Sequence, residues 1–281
     1  MTLQREKVLE SSKFIKSKFP KGFKPKNALI LEKEFKVPGK FKILSKIDYS
    51  DIPPGFEGHN IEKPGKLLFA RSGKNDLIVM HGRFHYYDGI SMRDLGHVIY
   101  SLKELGIKNI LSLDEVGHLN PRFKCGGLAL IYDHINLMAS NPLIGENDDK
   151  FGFRFPDMSA PYDEVLFNKM RDVMNRGSIL PDESIYVGTI GPASETEAEA
   201  RFYREIHGDV TGFSLVPENI TAVHAGMKFT AIGLITRELV ADRMAEDRSS
   251  TEEREKKRAV HLKECNKKLN GILPKLIREF K

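Results

Sequence analysis

The sequence predicts an α/β protein in which helices cover both faces of a mixed sheet. Short apolar runs of strand length alternate along the chain with amphipathic helical patterns, and this alternation is typical of α/β folds. The chain has 281 residues, of which 40% are hydrophobic, enough to bury one large core. No stretch of the sequence has the composition of a linker, so we expect a single domain.

The first predicted element is an amphipathic helix over residues 3 to 18, ended by the Pro and Gly of residues 19 to 22. Residues 1 to 26 carry eight Lys or Arg against two Glu. A solvated basic helix face is the simpler explanation of this bias, and docking of RNA, a ribonucleoprotein or another acidic surface stays open. We assign residues 1–23 to a basic N-terminal helical extension and 24–281 to the domain.

The remaining elements follow from apolar runs and helical periods. The segment 112–155 is dense in Gly, Pro, Asn and Asp and predicts long functional loops around one buried strand. The charged segment 238–281 is predicted to be helical. The predicted strands cover 27–31, 65–70, 77–80, 109–113, 129–131, 184–190 and 229–235, and the predicted helices cover 91–105, 162–175 and 195–206.

Several classes of protein are excluded or disfavoured by the sequence. No apolar run approaches the roughly 20 residues of a membrane span, and the N-terminus lacks the apolar core of a secretory signal, so we expect a cytoplasmic protein. The two cysteines, Cys125 and Cys265, are far apart and have no zinc-site spacing. Walker, GxGxxG, GxSxG and HExxH motifs are absent from the sequence.

Three turns that follow predicted strands carry polar side chains. Arg83 and His85 follow one strand and could both face an anion, although composition alone favours a solvated Arg and a structural His. Glu195 lies in Gly191-Pro192-Ala193-Ser194-Glu195-Thr196, where we expect it in the first turn of a helix or as part of a plain N-terminal cap. Residues 212–218 add a hydroxyl and an acid.

In order and spacing, five segments resemble the consecutive motifs of trimeric purine nucleoside phosphorylases, over roughly residues 24 to 245. The resemblance implies a single-domain nucleoside phosphorylase fold with a mixed, partly barrel-like sheet. It also implies cleavage of inosine or guanosine by phosphate, with no cofactor. The segments are HGRFHYYDG, GHLNPRFKCGG, IYDHINLMASNPLIGENDDKFGFRFPDMSAPYD, GPASETEAEAR and GFSLVPENITAVHAGMKF.

The resemblance implies a role for each matching residue. Arg83, His85 and Ser214 would bind phosphate. Tyr87 and Phe213 would contact the ribose.

Two further matching residues bear on the purine and on assembly. Glu195 would accept hydrogen bonds from the purine. Phe151 would reach into the pocket of a neighbouring subunit, which favours a homotrimer.

The phosphate side of the site departs from the family pattern. A Gly-Ser-rich loop that cradles phosphate is replaced by Leu31-Glu32-Lys33-Glu34-Phe35-Lys36, where the missing glycines and two carboxylates oppose phosphate binding. Lys63 replaces a histidine that helps to bind phosphate. Glu115 lies in a stretch that is Asn-Ala-Ala in the family, and we expect its carboxylate to occupy phosphate space.

The nucleoside side departs as well. Ser194 replaces the aromatic residue that stacks on the purine, and Arg237 replaces the amide that contacts it. The ribose-side histidine aligns loosely with Thr251. We expect two internal ion pairs, Glu115 with Arg83 and Arg237 with Glu195, to occupy the site in place of its ligands.

Two functions remain open. Because phosphate, ribose and base positions are altered together, we expect a catalytically impaired or inactive homologue used for binding or scaffolding. The alternative is an active purine nucleoside phosphorylase of altered specificity.

Overall fold

The computed structural model describes residues 2–54 and 65–280 as nine strands and seven α-helices. The strands are β1 (Asn27–Leu31), β2 (Lys42–Asp48), β3 (Lys66–Ser72), β4 (Asn75–His81), β5 (Asn109–His118), β6 (Leu128–Asn136), β7 (Asp182–Gly188), β8 (Val210–Gly212) and β9 (Lys228–Glu238). The helices are α1 (Leu3–Ser17), α2 (Met92–Glu104), α3 (Glu164–Arg176), α4 (Glu197–Glu205), α5 (Leu215–His224), α6 (Ala241–Glu246) and α7 (Thr251–Glu279).

All the described strands belong to one mixed sheet, in the order β2-β3-β4-β1-β5-β8-β7-β6-β9. A further pairing of β5 with β9 closes the strands β5, β8, β7, β6 and β9 into a five-stranded barrel. β1 pairs in parallel with β4 on one side and β5 on the other, and β5 pairs in parallel with β9. The predicted fold class, a single α/β domain with a partly barrel-like sheet, is confirmed.

The helices cover the sheet from both sides. α1 packs on α2 and buries Val8 and Ile15 in the same core as the sheet. On the opposite side, α7 packs on β9 and α3 and contributes Leu269 and Leu276 to a second core cluster. α7 begins at a capping box, in which Ser250 and Glu253 satisfy each other's backbone amides. Within the described ranges, no helix is both long enough and apolar enough to span a membrane.

Most predicted elements are present, and the differences have local causes. β5 and β6 run further than their apolar cores suggested. β2 was missed because its side chains are largely exposed or half-buried, and β8 because it has three residues. α5 was missed because nine of its ten residues are buried, so the sequence lacks the polar face that gives a surface helix its period.

Candidate functional site

The predicted site residues surround a cavity of about 1110 Å³ at the carboxyl ends of parallel strands. β1, β4, β5 and β9 all point their carboxyl ends toward it. Loops at this edge of an α/β sheet are where ligands usually bind. The volume is ample for a nucleoside-sized molecule.

Arg83 reaches the cavity because the backbone before it makes a close approach. Gly82 has φ of +113°, and a Cβ there would lie 2.6 Å from the Cα of Gly65. Only glycine fits this position without a shift of the chain. The Gly82 amide donates to the Leu31 carbonyl at 2.9 Å, which ties the end of β4 to the end of β1.

The Arg83 guanidinium is fully engaged by the protein itself. Its side chain is 1% exposed. Nε donates to Glu218 Oε1 at 2.8 Å, and Nη1 donates to Glu32 Oε1 at 3.0 Å and to Asp114 Oδ1 at 2.8 Å. Nη2 donates to the Ser112 hydroxyl. Every nitrogen of the predicted phosphate ligand therefore has an internal acceptor.

His85 and Glu32 form the next layer of the site. His85 Nε2 lies 3.2 Å from Glu32 Oε1, and Nδ1 lies 3.6 Å from Asp88 Oδ2. Burial lowers the pKa of His85, but its contacts to Asp88 and Glu32 outweigh this effect and raise the pKa to about 9. Burial raises the pKa of Glu32, but Arg83 and His85 outweigh this and bring it to about 2. Glu32 is therefore an anion and His85 a cation at neutral pH.

Segment 32–36 holds Glu32 against Arg83. The segment turns back on itself, with the Phe35 amide donating to the Glu32 carbonyl at 3.1 Å. Phe35 is 2% exposed and anchors the turn in the core. His81 Nε2 lies 3.0 Å from the Phe35 carbonyl. The predicted loss of the phosphate loop thus places a carboxylate where the guanidinium would meet an external anion.

The predicted pairing of Glu115 with Arg83 is wrong. Successive side chains on a strand point to opposite faces, so Asp114 and Glu115 on β5 cannot both reach Arg83. Asp114 faces Arg83 and accepts a second hydrogen bond from the Tyr186 hydroxyl at 2.8 Å. Burial raises the pKa of Asp114 despite the Arg83 charge beside it. Asp114, not Glu115, is therefore the β5 carboxylate that contacts Arg83.

Glu115 instead anchors α7. Its Oε2 accepts from Arg258 Nη2 at 2.9 Å, its Oε1 accepts from Arg258 Nε, and the Thr236 hydroxyl donates to Oε1 at 2.7 Å. The two parallel bonds from one guanidinium give this pair a fixed geometry. Thr251, at the first turn of α7, lines the same cavity.

The predicted pairing of Arg237 with Glu195 is confirmed. Arg237 Nη1 donates to Glu195 Oε2 at 3.0 Å, and the side chain of Glu195 is 3% exposed. Thr211 donates to the other oxygen at 3.2 Å. The predicted place of Glu195 in a first helical turn is wrong, because Thr196 caps α4 and the helix begins at Glu197.

Aromatic rings form the wall between the two halves of the site. Tyr87 stacks on His85 with centroids 4.5 Å apart and meets the edge of Phe213 at 6.0 Å. The Arg237 guanidinium lies 5.5 Å from the centroid of Phe213. Ser194, which stands where the family has an aromatic residue, places its hydroxyl 3.4 Å from Glu195 Oε2.

The Ser214 hydroxyl is a buried polar group of the site that lacks a hydrogen-bond partner in the described part of the chain. Ser214 is 5% exposed and lines the cavity. Its amide donates to the Tyr186 hydroxyl at 3.1 Å. Its Oγ has no hydrogen-bond partner among residues 2–54 and 65–280. A buried hydroxyl without a partner costs free energy, so this atom marks a place for a ligand or a solvent molecule.

Phe151, predicted to reach the pocket of a neighbouring subunit, packs within its own chain in this structure. Phe151 is 7% exposed and stacks on Tyr100 of the same chain, with ring centroids 4.1 Å apart. Phe151 does not line the cavity. Lys63 lies outside the described residues.

The sequence analysis gave no role to the buried partners of Arg83. Ser112 and Asp114 lie on β5, Tyr186 on β7 and Glu218 on α5. The alternation of β5 was a usable signal for Asp114. Glu218 is the acid of the turn 212–218 noted in the sequence, but its contact with Arg83 was not predicted because α5 itself was not predicted.

Comparison with known proteins assigns the family. The family described as the phosphorylase superfamily matches residues 36–275. Purine nucleoside phosphorylase 1 of Geobacillus stearothermophilus is 39% identical over 83% of this chain and 85% of its own length, and that of Bacillus subtilis is 36% identical over the same shares. The chain belongs to the purine nucleoside phosphorylase family. A Schistosoma member solved in complex with guanosine superposes with a TM-score of 0.87 at 26% identity, covering 98% of this chain and 97% of that one.

Family membership bears on the question of cofactors. Phosphorylases take phosphate as co-substrate, and this family needs no cofactor. The described part of the chain contains no cluster of His, Cys, Asp and Glu that could hold a metal ion.

Proposed function

We propose that this protein binds a purine nucleoside in the described cavity and cleaves its N-ribosidic bond, as a member of the purine nucleoside phosphorylase family with altered specificity. The convergence of Tyr87, Phe213 and Glu195 on one cavity supports this proposal. These three residues are the ones that the resemblance assigns to the ribose and the purine. The similarity to named phosphorylases over most of the chain favours an enzyme over a scaffold.

The nucleoside half has groups suited to this chemistry. The Tyr87 and Phe213 rings offer apolar surface to a sugar. Glu195 is a buried acceptor for purine N–H groups. To accept from a purine, its carboxylate either keeps its bond to Arg237 and accepts from both, or gives up the bond to Arg237. Arg237 places a cation where negative charge develops on a departing purine, and such preplaced charge lowers the barrier.

A homotrimer is part of the proposal. In the single chain, the Phe151 ring stacks on the Tyr100 ring. Phe153 and Phe155 in the same segment are 87% and 89% exposed. Exposed aromatic side chains of this size are typical of interfaces, so this segment is the one we expect at a subunit contact.

A binding protein without turnover is the second candidate, and a specific observation favours it. The nitrogens of Arg83 and the Oε2 of Glu195 are already paired within the chain. Ligands must displace these partners, which weakens catalysis more than binding. Docking of RNA or a ribonucleoprotein on the basic termini rests on composition alone and stays a prediction.

Release of purine from inosine and guanosine by the purified protein tests the proposal. Glu195→Gln should lower purine release about 100-fold, because a buried charged acceptor is lost. Glu197→Gln, two residues away and exposed, is the matched control and should match the wild type. A folded wild-type protein that binds hypoxanthine but releases no purine from either nucleoside would contradict the enzyme proposal and support the binding candidate.

A further inference from the structure

We infer that the acceptor of the ribosyl group in this site is water, held by Glu32, so that the protein hydrolyses purine nucleosides. The inference rests on the proposed function and changes its second substrate. It is argued from the charge around Arg83 and from two oxygens of the cavity lining that have no hydrogen-bond partner among the described residues.

The phosphate side no longer suits a dianion. Glu32, Asp114 and Glu218 all pair with the guanidinium of Arg83, and Glu32 also pairs with His85. A phosphate at this place would have to displace the Glu32 carboxylate and would still lie beside Asp114. At a separation of about 4 Å, two like charges repel by several kcal/mol when partly buried. A neutral acceptor avoids this repulsion.

Of the three carboxylates, only Glu32 has an oxygen to spare. Both oxygens of Asp114 are used, by Arg83 and Tyr186, and both oxygens of Glu218 are used, by Arg83 and Ser112. Glu32 Oε1 accepts from Arg83 and lies beside His85, whereas Oε2 makes no hydrogen bond within residues 2–54 and 65–280. Glu32 lines the cavity. Its Oε2 is therefore the carboxylate oxygen that can accept a proton from a bound molecule.

The Ser214 hydroxyl lines the same cavity and supplies a second polar atom. Its Oγ is buried and has no partner in the described part of the chain. A water molecule that binds stably needs two or more polar partners, and Ser214 Oγ is the second partner that we propose, beside Glu32 Oε2, because both residues line this cavity. Tyr87 stacks on His85, which contacts Glu32, so this position adjoins the residue that faces the ribose in the proposed complex.

The chemistry suits a carboxylate. Cleavage of a ribosidic bond develops positive charge on the sugar, as in glycoside hydrolysis, where a carboxylate activates the attacking water. The bond between C1′ and the purine nitrogen breaks and its electron pair stays on the purine. The water oxygen bonds to C1′ and its proton passes to Glu32 Oε2. That proton returns to solvent and the purine takes one up, so the products are free purine and ribose.

Arg83 and His85 act here as positioning residues. They hold Glu32 ionised, since their charges bring its pKa to about 2 despite burial. A carboxylate of this pKa is a weak base. It serves because the sugar is cationic when the water attacks, so little basicity is needed, and because the negative charge itself stabilises that cation.

The test is product analysis of wild-type protein with inosine in phosphate-free buffer. We expect hypoxanthine and an equal amount of free ribose, with a rate that added phosphate changes by less than about twofold, because phosphate takes no part in the barrier. Ribose 1-phosphate, detected by phosphorus NMR, with release that requires phosphate, would overturn the inference and leave the proposed function standing. Absence of hypoxanthine under both conditions would overturn both.

Variants locate the acceptor site. Glu32→Gln keeps the shape of the side chain and should lower phosphate-independent release at least about 100-fold, as expected for loss of a general base. Glu104→Gln, an exposed carboxylate at the end of α2 and outside the cavity lining, is the control and should retain the wild-type rate. Hypoxanthine affinity should be unchanged in both variants, which shows that they fold. If Glu32→Gln releases hypoxanthine at the wild-type rate in phosphate-free buffer, the proposed role of Glu32 is contradicted.

Discussion

Arg237 and Glu195 hold each other across 3.0 Å at the edge of the cavity, with the carboxylate side chain 3% exposed and the guanidinium side chain 23% exposed. The buried acceptor that would recognise a purine is therefore neutralised by the chain itself. Any purine that binds through Glu195 competes with Arg237 or joins it.

Removing Arg237 should expose this competition. In Arg237→Gln the Glu195 carboxylate keeps Thr211 but loses its cation, and a purine N–H group can replace it. We expect hypoxanthine to bind about tenfold more tightly, since a charged hydrogen bond contributes on the order of 1.5 kcal/mol or more. Isothermal titration calorimetry measures this. Arg243→Gln, which loses an exposed pair with Glu238 in the same cavity, is the control. Equal or weaker binding by Arg237→Gln would show that Arg237 contacts the purine instead.

The buried contacts of Arg83 predict a large effect on stability. Arg83→Met leaves three carboxylates without their cation, and breaking such a buried cluster costs about 3–5 kcal/mol of unfolding free energy. Arg171→Met removes an ion pair with Glu183 whose side chains are 40% and 44% exposed, and should cost less than about 1 kcal/mol. Denaturant unfolding of both variants checks the contrast. Equal losses would mean that the carboxylates around Arg83 take up protons at little cost.

The fold could be predicted from the sequence because its strands are apolar runs buried between neighbours. β1 is buried at all five positions and pairs on both sides. β2 and α5 were not predicted from the sequence, for opposite reasons. β2 is too exposed to show an apolar run, and α5 is too buried to show a polar face.

The site could be predicted only in part because its ion pairs join distant segments. Arg237 and Glu195 were matched correctly by charge complementarity. The same argument failed for Arg83, because Asp114 and Glu115 are adjacent in sequence and strand geometry alone decides which one faces the guanidinium. The sequence also could not show that the turn at Phe35 would aim Glu32 at Arg83.

His85 should make stability fall with rising pH. Its folded-state pKa of about 9 lies above its ordinary 6.5. The protonated form therefore stabilises the fold fully below pH 6.5, and this stabilisation is lost as the pH rises from 6.5 toward 9. The quantity to compare is the unfolding free energy of wild type minus that of His85→Gln. We expect this difference to be larger at pH 6 than at pH 9.5, by up to about 3 kcal/mol.

Unfolding at a series of pH values measures this difference. His207→Asn is a suitable control, because His207 has φ of 72° and Asn tolerates that conformation. A difference between wild type and His85→Gln that stays constant from pH 6 to 9.5 would contradict a raised pKa for His85.

The ion pair between Glu115 and Arg258 should hold the N-terminal half of α7 over the cavity. The fully buried residues of α7 begin at Cys265, and before it Leu262 packs against the second core cluster, so the first turns of the helix depend on polar contacts. Glu115→Gln removes the charge that Arg258 grips, and we expect amide hydrogen exchange in residues 251–262 to rise about tenfold, which corresponds to about 1.4 kcal/mol. Glu252→Gln breaks a surface pair with Lys256 and should leave exchange there unchanged. If Glu115→Gln exchanges like wild type, helix propensity and the Ser250 cap suffice to order α7. If its amides exchange faster, Glu115 orders the helix that lines the nucleoside cavity. The resemblance places a small residue beside phosphate at this position, so Glu115 would have a different role there.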